Sequence, residues 1–283
     1  MKRIFIVSNP TKDLEYGVTK DVISLLLSCG AEIFMLSDSK NPDIQSVEFA
    51  KEPPADIDCI IAIGGDGTFI RAAHYAVEIS APVIGINLGK LGYLSEVEPS
   101  NVSVLKKIFD DDFKIDKKIL LEAIYKENGA VIEKRDSAVN DVVISHKDYL
   151  GISDFVLLSN DGRVKYRADG IVFATPQGST AYSLSAGGPV VSHEADAVIV
   201  TPISPHSFFN RSIVFGKNEQ ISIKNTSDDV MHITVDGALM TKMNPGAECT
   251  VKVSHKFLKV LTFKENNMFE NLFSKMQILE DII

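Results

Sequence analysis

Cysteine is scarce and tryptophan is absent: the 283 residues hold only Cys29, Cys59 and Cys249 and no Trp. Three cysteines far apart, none in a C-x-x-C pair, exclude a disulfide framework and suggest no structural zinc site, so a reducing, cytoplasmic setting is expected. The histidines, His74, His146, His193, His206, His232 and His255, share no ligand spacing and are read as surface or core residues. Long apolar runs are missing too. Nothing approaches the roughly 18 residues of a membrane span, and the short apolar stretch after Met1-Lys2-Arg3 stops at Asn9-Pro10, too soon for an export signal. An excess of basic charge is likewise lacking: 29 Lys and Arg against 38 Asp and Glu leave a net charge of −9. A nucleic-acid surface is therefore not expected, and an anionic ligand must be met by local cations. No internal repeat and no low-complexity segment is found.

What remains is a globular composition, 45% hydrophobic and 24% charged, with material for one large domain or two. Ile4-Phe5-Ile6-Val7 reads as a buried strand. Val18, Val22, Leu25, Leu26 and Cys29 recur at helical spacing, with Gly30 as the stop. Ile33–Leu36, the run Asp58–Ile63 leading into the glycine loop, and Pro82–Ile86 read as further strands, and Phe69–Val77 as a helix. Strands alternating with helices imply a parallel sheet covered on both faces, whose ligands gather at the carboxyl ends of the strands. After about residue 100 the pattern changes. One more helix is expected over residues 101–112, then short strands at 119–125, 139–145, 171–174, 197–201, 220–224, 230–235, 249–253 and 257–263, with Asn160-Asp161-Gly162-Arg163 as a hairpin turn. That is the pattern of an antiparallel β-sandwich or a related β domain. Met268, Leu272, Phe273, Met276 and Leu279 form an apolar helical stripe expected to dock on a domain surface.

Four stretches carry chemistry. Gly64-Gly65-Asp66-Gly67-Thr68 joins a strand to a helix, and glycines with the first turn of a helix make an anion site. Asp66 among phosphate-binding groups is either a catalytic carboxylate or the N-cap of the helix. Asn140-Asp141 interrupts the apolar run Ala138–Ile144; such a pair is tolerated at a bulge, a capped strand end or a ligand. Arg167-Ala168-Asp169-Gly170 precedes the strand at Ile171 and is explained equally by an ion-paired turn or by a ligand contact. Thr175 to Pro189 concentrates hydroxyls, Tyr182 and three glycines with little apolar bulk. It reads either as a helix packed through small residues or as a surface on which Tyr182 covers a base while Ser179 and Thr180 donate hydrogen bonds.

These stretches, with Asn87-Leu88-Gly89-Lys90-Leu91-Gly92-Tyr93-Leu94, occur together and in this order, and together they resemble the NAD kinases. The glycine loop alone is shared with phosphofructokinases and with diacylglycerol and sphingosine kinases; the run from Thr175 to Pro189 is similar to NAD kinases specifically. The resemblance implies an amino-terminal Rossmann-like parallel-sheet domain (residues 1–100), a β-rich NAD-binding domain (101–255) and a last segment (256–283) returning to the first. It implies NAD between the domains, touched by Asp66, Gly67, Arg71, Asn140, Asp141, Arg167, Asp169, Thr180, Ala181, Tyr182, Ser183, Leu184 and Ser185, with Gly64, Gly65, Gly67 and Thr68 as the phosphate loop. The implied reaction moves the γ-phosphoryl group of ATP to the 2′-hydroxyl of the adenosine ribose of NAD, with inorganic polyphosphate, giving up its terminal phosphoryl group, as the alternative donor. Asp66 would accept the proton, and a divalent ion, Mg²⁺, without an assigned protein ligand, would bridge the donor phosphates. A homo-oligomer, dimer or tetramer, is implied as well. The chain departs from the usual pattern in reading Asn140-Asp141 for Asn-Glu, Asp236-Gly237-Ala238 for Asp-Gly-Gln, and Ser212 for the proline after the arginine. Two rivals stand beside this reading: a lipid or sugar kinase sharing the glycine loop, and an NAD(P)-binding sensor without turnover.

Overall fold

The computed structural model describes residues 1–37, 41, 43–88, 97–146 and 151–263, the side chains of 135–137 excepted. The stripe from Met268 to Leu279 and the loop residues 89–94 lie outside the described residues. The chain forms two compact units, residues 1–117 with the described chain from Leu258 on, and Lys118–Phe257.

In the first unit β1 (Arg3–Ser8), β2 (Glu32–Leu36), β3 (Glu48–Ala50), β4 (Cys59–Gly64) and β5 (Val83–Asn87) pair in parallel, in the order β3-β2-β1-β4-β5. Helices α1 (Gly17–Ser28) and α2 (Asp66–Ile79) follow β1 and β4. On α1 the apolar spacing buries Val22, Ile23 and Leu26. Gly30, at φ +80, takes the left-handed turn that ends the helix. The middle of β1, Ile4–Val7, and all of β4 are apolar because both faces are covered, as a parallel sheet requires. The chain runs outward from β1 to β3 and then returns to β4 to run the other way, so the sheet has its topological switch point at the carboxyl ends of β1 and β4.

Residues Pro99–Ile108 form 3₁₀ turns where a regular helix was expected; Asn101 (φ −120, ψ 25) breaks the helical path just after Pro99. Leu105, Ile108 and Leu261 are buried in the same core as Ile4, Ile6 and Ile61. Through those side chains the first unit extends to residue 117 and resumes at Leu258, against the boundaries expected at 100 and 255.

The second unit contains β6 (Lys114–Glu127, from Lys118), β7 (Ala130–Ala138), β8 (Asp141–His146), β9 (Ser153–Ser159), β10 (Gly162–Ala168) and β11 (Gly170–Ala174). The short helix α3 (Tyr182–Ser185) follows, then β12 (Ala197–Ile203), β13 (Ile213–Gly216), β14 (Ile221–Asn225), β15 (Met231–Val235), β16 (Ala238–Met243) and β17 (Glu248–Thr262). One antiparallel sheet has the order β13-β12-β11-β8-β15-β16; β10, β9, β14 and the first part of β17 make another, and β6 pairs β7. Alternate residues from both, among them Val142, Ile144, Phe155, Leu157, Ile171, Phe173, Ile221 and Ile223, fill one shared core. This is the expected sandwich. Strand β17 runs unbroken where two strands were expected; from Leu258 it belongs to the first unit, where Val260 pairs with Val83.

Candidate active site

At the switch point of the first unit, Gly64 closes β4 and Gly65 is the N-cap of α2, so Asp66 is the first helical residue rather than its cap. No side-chain hydrogen bond caps this helix. The cap explanation of Asp66 therefore falls, and its carboxyl group stands half-buried in the opening turn. Gly64 is required by the short Thr68 side chain against it, whereas at Gly65 the neighbour is the mobile end of Lys12. A Cβ on Gly64 would come within 2.3 Å of Thr68 Oγ1, and one on Gly65 within 2.4 Å of Lys12 Nζ. Thr68 thus packs on Gly64, where Asn9 Nδ2 donates to its hydroxyl at 3.3 Å. The ammonium of Lys12 rests on the bare face of Gly65.

Lys12 is delivered by the loop after β1. The Asn9 N–H donates to Ile63 O (2.9 Å), and Asn9 Oδ1 accepts from the Thr11 N–H (3.0 Å) and hydroxyl (2.7 Å). Next, the carboxylate of buried Asp13 accepts from Val18 N–H, Thr19 N–H and Thr19 Oγ1 at 3.0, 2.9 and 2.5 Å. Among the described residues Lys12 is a local cation of the kind the acidic composition demands, beside an N-terminal helix turn already suited to phosphate. Arg71 lies exposed further along α2.

In the second unit Asn140 and Asp141 lie at the entrance to β8. The Asp236 carboxylate accepts from the N–H groups of Val139 (2.7 Å), Asn140 (2.8 Å) and Asp141 (3.1 Å). From the other side the Thr175 N–H donates to Asn140 O at 2.9 Å, and Thr175 Oγ1 donates to Val139 O at 2.7 Å. A Cβ on Gly178 would lie 2.0 Å from Asn140 O, so glycine alone lets the two backbones meet. Burial, and then the charge of Asp236, push the Asp141 carboxyl up to about 7.

After Thr175 the segment folds on its own hydroxyls. Ser179 Oγ donates to Pro176 O (2.6 Å) and accepts from Val191 N–H (3.1 Å). Fully buried Ser183 meets Thr201 Oγ1 at 3.0 Å, and Thr180 Oγ1 donates to Gln177 O at 3.2 Å. The hydroxyls of Ser179 and Thr180 thus make their hydrogen bonds within this segment. Tyr182 and Leu184 are left exposed, at 45% and 38%, as large apolar surface at this end of the sheet.

Residues 4–113 match the family description "ATP-NAD kinase N-terminal domain" and residues 139–263 match "ATP-NAD kinase C-terminal domain". The chain belongs to the ATP-NAD kinase family. An NAD kinase of Lachnoclostridium phytofermentans is 31% identical over 97% of this chain and 99% of its own. One of Caldanaerobacter subterraneus subsp. tengcongensis is 35% identical over 98% and 99%. The fold is that of a crystal structure of yeast NADH kinase complexed with NADH (TM-score 0.83, 22% identity, covering 96% of this chain and 86% of that one). It is also that of an NAD kinase from Archaeoglobus fulgidus in complex with ATP (TM-score 0.74, 24% identity, 97% and 98%).

Within this ATP-NAD kinase chain, Asn140, Asp141 and the segment from Thr175 to Ser185 lie at one end of β8 and β11, since Ala174 is paired with Asp141. Arg167 and Asp169 do not join them. Arg167 is exposed near the end of β10, and Asp169, whose carbonyl accepts from the His146 N–H at 3.0 Å, precedes the opposite end of β11. The six steps from Asp169 to Thr175 span about 20 Å of extended chain. Lys12, which the motif reading did not single out, and Asp236, which it named only as part of Asp236-Gly237-Ala238 with no role assigned, hold positions in these two constructions. A cation shortly after a strand-ending Asn-Pro was legible for Lys12; nothing local marks Asp236 as the partner of amides almost a hundred residues earlier.

Proposed function

We propose that this ATP-NAD kinase transfers the γ-phosphoryl group of ATP to the 2′-hydroxyl of the adenosine ribose of NAD, and so makes NADP. The observation that carries the reading is the loop from Gly64 to Thr68 at the switch point of the parallel sheet, with Lys12 against Gly65. The opening N–H groups of α2 and the Lys12 ammonium would bind donor phosphates, the part of such a transfer that positioning and charge neutralisation carry. Asp66 would accept the hydroxyl proton; a carboxylate is a weak base for an alcohol, so the proton would move late, once the phosphorus–oxygen bond is forming. Asn140 and Asp141 would hold the nucleoside through side chains whose backbone is already fixed, and Tyr182 would lie against the base.

Among the described residues no three His, Cys, Asp or Glu side chains gather to cage a metal ion. One carboxylate beside a phosphate loop would suit instead a Mg²⁺ held mainly by the donor phosphates, for which Asp66 would be the protein contact. When bound, that ion would neutralise charge on the transferred group.

Arg167 near the end of β10 and Asp169 just before β11 lie at the far end of β11 from Asn140; if both contact the nucleotide, they would do so from a second copy of the chain, which is the homo-oligomer reading. Among the described residues no helix is long and apolar enough to cross a membrane, and a cytoplasmic place in NADP synthesis fits three free cysteines.

The test is incubation with NAD, ATP and Mg²⁺, with NADP read out by an NADP-specific dehydrogenase. No NADP from folded protein, with polyphosphate tried in parallel, would overturn the proposal and leave the sensor reading. Phosphorylation of a lipid or sugar instead would favour the other rival.

A further inference from the structure

We propose that Asp236 is a positioning residue for the nucleotide, its carboxylate clamping the backbone from which Asn140 and Asp141 project. The inference rests on the reading that this pair holds NAD. Three successive N–H groups point at one carboxylate: Oδ2 accepts from Val139 at 2.7 Å, and Oδ1 from Asn140 at 2.8 Å and Asp141 at 3.1 Å. The Asp236 N–H returns a bond to Asp141 O at 3.0 Å, so the two segments are tied in both directions. On the far side Thr175 occupies the carbonyls of Val139 and Asn140. With donors and acceptors both taken, the peptide units from Val139 to Asp141 have a single orientation, and that orientation decides where the two side chains point.

The clamp is separable from the turn that carries it. Asp236 (φ 48) and Gly237 (φ 78) are the two central residues of the β15–β16 hairpin, both left-handed. Such a turn takes Asn-Gly as readily as Asp-Gly. Asn at 236 would keep the hairpin, yet it cannot accept from three N–H groups: one of its side-chain atoms becomes an amide nitrogen, a donor set against a donor. A residue needed only for the turn is therefore replaceable by Asn, and a residue needed for the clamp is not.

The experiment compares full-length wild type with Asp236→Asn. NAD binding is measured by calorimetric titration, steady-state constants are measured for NAD and ATP, and hydrogen exchange is followed at the amides of Val139, Asn140 and Asp141. The expected result is faster exchange at those amides, NAD binding and KM for NAD weakened roughly 10- to 100-fold, the scale of a lost hydrogen bond to a charged group, and KM for ATP within about twofold. Faster exchange with unchanged NAD affinity overturns the inference, as does unchanged exchange. Wild type that fails to bind NAD overturns the functional reading beneath it, and the two failures are distinguished by that first titration. Should Asp236→Asn not fold, Asp236→Gly keeps a turn that Gly-Gly also forms and removes the carboxylate altogether; unchanged NAD affinity in that variant overturns the clamp.

Discussion

Replacing Asp141 by asparagine isolates the electrostatics beneath the candidate nucleotide site. Asp141 is 7% exposed, and burial first, then the neighbouring charge of Asp236, raise its carboxyl from 3.8 to about 7. In the unfolded chain the same group titrates near pH 4. Between about pH 4 and 7 the folded protein therefore keeps a proton that the unfolded chain releases. The sign follows: the contribution of Asp141 to stability is fully present below about pH 4 and is lost as pH rises through about 7. At about 1.4 kcal/mol for each pH unit of displacement, the loss is at most on the order of 4 kcal/mol. Asparagine has nearly the shape of the protonated acid and cannot ionise, so Asp141→Asn escapes the loss. Urea unfolding of both proteins from about pH 5 to about pH 8 should show the variant gaining on wild type as pH rises, by up to a few kcal/mol, with the gain levelling off above about pH 7. A difference that stays flat across this range would refute the reasoning, because the carboxyl would then titrate alike in both states.

Three further outcomes follow from the same geometry. Asp66→Asn should keep the melting temperature, since Asp66 is not the cap of α2, while turnover falls by roughly 10² to 10⁴, the range of a positioned acid or base; near wild-type turnover in folded protein would remove Asp66 as the base. Gly178→Ala places a methyl group 2.0 Å from Asn140 O; because that neighbour is backbone, the strain should cost about 1 to 3 kcal/mol in a thermal or urea melt and weaken NAD binding, whereas a wild-type melt would show that the loop yields freely. Lys12→Ala should raise KM for ATP more than KM for NAD, and the gap should narrow as salt is added, because an exposed cation is screened; equal effects on both substrates would place Lys12 outside the phosphate site.

The parallel sheet and the glycine loop were legible because their signals are local: apolar runs, helical spacing, and glycine where a strand meets a helix. The antiparallel half was read less completely. Asn128-Gly129, both with positive φ (51 and 80), turns the chain into β7, and this Asn-Gly hairpin was available but went unread because Glu133, Lys134, Arg135 and Asp136 dilute the apolar alternation after it. In β17 the polar Ser254-His255-Lys256 was taken for a break, yet with no glycine or proline there the strand continues from Glu248 to Thr262. The expected helix over 101–112 failed for the opposite reason: its spacing was right for burying Leu105 and Ile108, and 3₁₀ turns bury them equally well.

Asn140-Asp141 shows where local reading ends. A polar pair in an apolar run violates the strand pattern, and the sequence alone offered a capped strand end or a ligand as competing explanations. The structure supplies the cap, and it acts on the backbone: Asp236 and Thr175 take the N–H and carbonyl groups, so the Asn140 side chain is not consumed in ending the strand. The two explanations therefore cease to compete. The departures from the family pattern divide on the same ground. Ala238 in place of Gln sits exposed at the start of β16 and leaves the Asp236-Gly237 turn intact, so the clamp does not depend on it. Asp141 in place of Glu is different, because the shorter side chain keeps its carboxyl group buried beside Asp236, where a Glu would carry it one methylene farther. Asp141→Glu should accordingly bring the carboxyl's titration down toward the ordinary carboxylate range and move the pH dependence of NAD affinity with it; an unchanged profile would show that the extra methylene takes the carboxyl neither out of its burial nor out of the reach of Asp236.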